Sequence, residues 1–216
     1  MGSNGRRRLR MTAIVDYGIG NVKSVCRAIE YLGGEVQLTR KFDELKKADR
    51  IILPGVGAFK PAIESILDYE LDKVLYEEVI INKKPFLGIC LGMQLVTNLT
   101  HENGLWKGLG WIDAEVHKLS DSDEYKLPQF GWNSVDIIFD HILMNNIPPQ
   151  TAFYFANSYH VKVKNERIIL LTTTYGETFV SSFVKENIFC TQFHPEKSQE
   201  FGLQLLENFL DWEPEC

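Results

Sequence analysis

The chain has 216 residues, of which 44% are hydrophobic and 24% charged, with a formal net charge of −6. This length and balance predict one soluble globular domain with a full core and exclude a disordered chain. The acidic balance argues against nucleic acid or an anionic membrane as partner, and the longest apolar runs fall far short of the roughly 20 residues of a membrane span.

Residues 1–10 carry Arg6, Arg7, Arg8 and Arg10 ahead of a second methionine, Met11, and read as a leader or an expression remnant, too short and polar for a secretory signal. From Ala13 strands and helices alternate. Ala13 to Asp16 predicts a strand, Tyr17-Gly18-Ile19-Gly20 a turn, and Val22, Val25, Cys26, Ile29 and Leu32 one face of a helix stopped at Gly33-Gly34. Glu35 to Thr39 predicts a strand, Phe42 to Lys47 a short helix, and Arg50 to Leu53 a strand broken by Pro54-Gly55. Two helical stretches follow, with Phe59, Ile63, Ile66 and Leu67, then Leu71, Val74, Leu75 and Val79. Pro85 to Ile89 is the next strand, and a helix follows Cys90. Such alternation predicts a parallel sheet with helices on both faces and functional groups at the carboxyl ends of its strands.

Beyond Gly104 the pattern becomes strands and turns. Trp111–Lys118, Ser134–Phe139, Phe153–Val163, Ile168–Thr173, Phe179–Lys185 and Ile188–Phe193 favour strands. Gln129 to Asn133 reads as a turn, with Trp132 assigned to core packing, and Asp121 to Glu124 as a solvated loop. A last helix is predicted from about Ser198 to Leu210. The domain is expected over 11–211, with a short tail at 212–216.

Four cysteines, Cys26, Cys90, Cys190 and Cys216, form no C-x-x-C pair and no disulfide framework, which predicts a reducing cytoplasm. No metal-ligand cluster is visible along the chain, and neither a metal nor a cofactor is expected.

Cys90 is the residue that points to chemistry. Gly88-Ile89-Cys90-Leu91-Gly92 joins a strand directly to a helix, a sharp turn whose apex presents a side chain, with helix N–H groups favouring a thiolate. A buried structural cysteine flanked by glycines fits the same five residues. Near the far end, Gln192-Phe193-His194-Pro195-Glu196-Lys197-Ser198 sets His194 and Glu196 two apart in an extended segment. That spacing suits an imidazole base and the carboxylate that orients it, though an acid in a first helical turn is common in any case. Pro54-Gly55-Val56-Gly57 offers accessible N–H groups of the kind an oxyanion hole needs; taken alone it is also an ordinary turn.

These three pieces, in this order, resemble the class I (triad-type) glutamine amidotransferases, and within them the glutaminase subunits of imidazole glycerol phosphate synthase. The similarity runs from about Met11 to Leu210 and includes Val15 to Asn21, Gly131-Trp132-Asn133, Tyr154-Phe155 and Ser158-Tyr159. The resemblance implies an α/β flavodoxin-like fold, a central mostly parallel sheet flanked by helices with an additional antiparallel β portion. It implies that Cys90 attacks the side-chain amide of glutamine, with His194 as base and then acid and Glu196 as orienter. Leu91 and the Gly55–Val56 segment would supply the oxyanion donors. Gly57, Gln94, Glu102, Ser158 and Tyr159 match positions that hold the amino-acid end of glutamine, and Asn21 and Lys197 positions that face a (β/α)8-barrel synthase subunit, the receiver of the ammonia in histidine biosynthesis.

Two stretches depart from that pattern. Asn157 stands where the family often has histidine, and Gly110 to Val116 looks more like paralogues that supply ammonia for amidating bacterial surface sugars. A surface-sugar acceptor and a catalytically silent regulatory subunit are therefore the competing readings; the presence of all three triad residues disfavours the silent one.

Overall fold

A computed structural model describes residues 10–215, so the leader predicted at 1–10 lies outside the described residues except for Arg10. In chain order the amino-terminal part contains β1 (Met11–Val15), α1 (Val22–Tyr31), β2 (Glu35–Thr39), α2 (Phe42–Lys47), β3 (Arg50–Gly55), α3 (Phe59–Asp68) and α4 (Leu71–Leu75), the last running into a π-helical turn at Tyr76–Ile81. Next come β4 (Phe86–Cys90), α5 (Leu91–Leu95), β5 (Thr97–Thr100), β6 (Trp106–Lys107) and β7 (Ile112–Lys118). The remainder holds β8 (Gln129–Ser134), β9 (Asp136–Ile137), β10 (Ala152–Asn157), β11 (Tyr159–Val163), β12 (Ile169–Tyr175), β13 (Glu177–Lys185), β14 (Ile188–Thr191) and α6 (Gln199–Asp211).

The main sheet runs β2-β1-β3-β4-β14-β13-β11-β7-β5-β6, with β12 and β9 attached to β13. From β2 to β14 every pairing is parallel; from β14 to β7 every pairing is antiparallel. This is the expected α/β flavodoxin-like arrangement, a mostly parallel sheet flanked by helices, with an antiparallel addition. Alternate residues of β1 leave opposite faces of the sheet: Ala13 and Val15 join a core with Phe59, Ile63, Leu71 and Val74, while Ile14 joins one with Val25, Ile29, Leu205 and Phe209. Thus α3 and α4 cover one face, and α1 and α6 the other. Arg50, buried at the start of β3, ties α6 to the sheet by donating from Nη1 to Phe209 O at 2.6 Å, where a cation also suits the helix C-terminus. Among the described residues no helix is long and apolar enough to cross a membrane.

Several predicted elements differ. The helix after Cys90 lasts only five residues before β5 begins. Gln129 to Asn133 is not a turn: it lies in β8, which pairs antiparallel with β10, Trp132 opposite Tyr154. Trp132 is accordingly not core packing; it is 48% exposed and rests edge-on against Tyr154. The single strand predicted over Phe153–Val163 is split at Ser158 into β10 and β11, which belong to different sheets. Only Asp136–Ile137 of the stretch 134–139 pairs as β9. Asp121 to Glu124 is exposed loop, as expected.

Candidate active site

Cys90 ends β4 at the carboxyl edge of the parallel strands, with Gly55 of β3 opposite it in the ladder. Its backbone has φ 54° and ψ −106°, in the left-handed half of the map that only a tightly held non-glycine residue keeps. The glycines around it are required by close approach. A Cβ on Gly88 would meet Cys190 Sγ at 2.8 Å and Gly92 O at 2.9 Å, and a Cβ on Gly92 would be driven into the Leu53 carbonyl. The sequence makes a strained strand-to-helix elbow here because nothing larger fits on either side.

A cavity of about 460 Å³ opens over this elbow. It is lined by Val56, Gly57, Cys90, Leu91, Gln94, Glu102, Ser158, Tyr159 and His194, with Asn21, Phe130 and Lys197 at its wall. Of the predicted site residues, Gly55 and Glu196 are not on the lining: Gly55 is buried beneath the Tyr17 hydroxyl and the Leu91 side chain, and Glu196 reaches the site through the Nδ1 of His194. Gly57, at φ +101°, leaves open space where a side chain would stand.

His194 is buried at the approach to α6, and its Nδ1 is 2.8 Å from Glu196 Oε1, so the carboxylate accepts the Nδ1 proton and leaves Nε2 for other work. Burial alone pulls the His194 imidazole down, but charge on Cys90 and then on Glu196 outweighs it and pushes its pKa up to about 10. The fold holds His194 in place through the backbone, with its N–H donating to Tyr154 O at 2.9 Å and its carbonyl accepting from Ser198 Oγ at 2.6 Å.

Gln94 donates from Nε2 to Tyr159 O at 3.2 Å and to Gln192 Oε1 at 3.1 Å. Gln192, which was not singled out as a site residue, in turn places its Nε2 3.7 Å from Cys90 Sγ, a donor to the sulfur from beneath the cavity. Its only sequence signal was its place two residues before His194. Glu102 accepts from Phe59 N–H at 2.9 Å at the start of α3 and lies near Tyr159, whose phenol pKa is raised by burial and by Glu102. Asn157 is buried and donates from Nδ2 to Tyr159 O at 3.1 Å, so an amide serves the backbone here.

The family profile for glutamine amidotransferase class-I matches residues 13–212. The chain is 44% identical over 200 residues to imidazole glycerol phosphate synthase subunit HisH 1 of Campylobacter jejuni (strain RM1221), covering 93% of this chain and 99% of that protein. It belongs to the class I glutamine amidotransferases, among their HisH subunits. The amidotransferase is also 42% identical to subunit HisH of Chlorobaculum tepidum, over 94% of this chain and all of that one. Among solved structures, PurLQS from Thermotoga maritima superposes with a TM-score of 0.67 at 17% identity, over 94% of this chain and 98% of that one, a likeness of fold.

Outside the cavity the structure also brings together His101, Glu115 and His117, where no cluster of ligating side chains was expected.

Proposed function

We propose that this amidotransferase is the glutaminase subunit of an imidazole glycerol phosphate synthase, a single domain over residues 11–211 that hydrolyses glutamine and hands the ammonia to a (β/α)8-barrel synthase subunit of histidine biosynthesis. The observation that carries the chemistry is the shared cavity of Cys90 and His194, with His194 bonded to Glu196 through Nδ1. The relatives named as HisH support the pathway.

In this reading His194 Nε2 takes the thiol proton of Cys90 as its Sγ adds to the side-chain amide carbon of glutamine. The tetrahedral oxygen is met by the Leu91 N–H and by an N–H of the Gly55–Val56 segment. As the C–N bond breaks, His194 Nε2 delivers its proton to the departing nitrogen, leaving a γ-glutamyl thioester and ammonia. His194, now neutral, takes a proton from water, whose oxygen adds to the thioester; the C–S bond breaks and glutamate leaves. Glu102 faces the ammonium of the substrate, while Gly57, Gln94, Ser158 and Tyr159 hold its amino-acid end.

Ammonia released into water is protonated and lost as a nucleophile, so the product needs a docked receiver. The cavity wall supports one: Asn21 and Lys197 lie there, beside Phe130 at 69% exposure and the exposed Trp132. The free thiols Cys26, Cys90 and Cys190 suit the reducing cytoplasm in which we place the protein.

The test is to co-purify the native partner and assay it with glutamine and with ammonium salts. Cys90→Ala is expected to lower glutamine-dependent synthesis by at least about 10³-fold while ammonium-dependent synthesis persists. No glutamate release from the wild-type complex at saturating glutamine would remove the enzyme reading in favour of a silent subunit. A partner that amidates a sugar would move the ammonia to the surface-sugar reading.

A further inference from the structure

Three side chains that the glutaminase reaction does not use converge where β5 meets β7. Glu115 and His117 are alternate residues of β7 and leave the same face of the sheet. His101 follows directly on β5, whose Thr100 pairs with Val116, and its N–H donates to Val116 O at 2.9 Å. The ladder thereby sets His101 beside both. Nε2 of His101 lies 3.0 Å from Glu115 Oε2, and Nε2 of His117 lies 3.4 Å from that same oxygen. The two rings stack, with centroids 4.4 Å apart and planes inclined by 28°.

We propose that His101, Glu115 and His117 form a three-ligand site for a divalent transition metal of the Zn²⁺ type. An ion pair between one imidazole and one carboxylate would need only one ring at Glu115. Here two ring nitrogens and a carboxylate oxygen all turn to one point, with the ligand atoms within 4.8 Å of one another. A tetrahedral ion with bonds of about 2.0–2.1 Å holds its ligands roughly 3.3 Å apart, which side-chain rotation on these fixed strands supplies. Two imidazoles and one carboxylate suit Zn²⁺ and its neighbours rather than Mg²⁺ or Ca²⁺, which prefer oxygen shells. Lys162, opposite Glu115 on β11, adds positive charge and further disfavours an ion held by charge alone. All three ligands are partly open to solvent, which leaves an entry path and a fourth position for water. An ion here would clamp β5 to β7 one residue from Glu102.

The site is independent of the glutaminase reading, and its test is read without activity. Full-length Cys90→Ala protein, which lacks the competing thiol beside His194, is stripped with a chelator and titrated with Zn²⁺ while the imidazole ¹⁵N resonances are followed. The expected result is a saturable shift of His101 and His117 at one equivalent, with His141 and His160 unmoved. Adding His101→Ala and His117→Ala together should weaken Zn²⁺ binding measured by calorimetry by about tenfold or more, and Glu115→Gln should weaken it in a protein that keeps both rings. Unmoved His101 and His117 signals at saturating Zn²⁺, or equal affinity in all variants, would overturn the proposal.

Discussion

His194 shows how much of the site depends on single residues acting on one another. Its imidazole would lose affinity for protons through burial, and it gains affinity because Cys90 and Glu196 stand against it. Because its pKa is raised from 6.5 to about 10, the pairing stabilises the native state fully below pH 6.5, and this contribution is lost as the pH climbs to 10. In Cys90→Ala the titration midpoint of His194, read by imidazole NMR, should fall from near 10 toward the ordinary histidine range. An unchanged midpoint would mean that Glu196 alone sets it. Cys90, His194 and Glu196 were legible from the chain because an elbow needs glycines at fixed offsets and an imidazole–carboxylate pair needs only a two-residue spacing. Gln192 was not, since its amide reaches Cys90 Sγ across 102 positions and only the pairing of β14 with β4 brings them together.

The strands divide into those whose signal is local and those set by distant pairing. The parallel strands β1 to β4 are short apolar runs separated by amphipathic helices, and that rhythm is local. β8 reads as a turn in the sequence because it carries Gly131, at φ +124°, among mixed residues, and because its partner is β10, beyond the next strand in the chain. The break at Ser158 is likewise set by a change of sheet rather than by a breaker residue. β11 carries a further test. His160 is buried against the Phe179 ring, and burial lowers its pKa to about 4, with Glu177 opposing the shift. A histidine kept neutral in the fold protects stability above pH 6.5 and withdraws it as pH falls toward 4, by on the order of 2–3 kcal/mol. His160→Leu should flatten the acid side of the stability profile measured by urea unfolding between these pH values; an acid limb as steep as wild type would assign the loss to other groups.

At the scale of the whole molecule, the antiparallel addition builds the wall of the cavity and the exposed aromatic edge. Phe130 and Trp132 stand on β8, in the small two-stranded sheet beside His194 and Lys197, and Lys197 Nζ lies 5.7 Å over the Tyr154 ring of β10. Trp132→Asp should leave the thermal unfolding midpoint within a few degrees of wild type, because an exposed side chain contributes little to stability. It should weaken association with the proposed barrel subunit by at least about tenfold, measured by calorimetry. Normal association with that variant would place the partner on another face.

The sequence by itself determines the doubly covered parallel sheet and marks Cys90, His194 and Glu196 as the candidate triad, because periodicity, glycine placement and short motifs act over a few residues. The tertiary structure alone decided the cavity that joins them, the exposure of Trp132, and the meeting of His101 with Glu115 and His117. Those depend on strand register between segments distant along the chain, and register is set by the packing of the whole sheet.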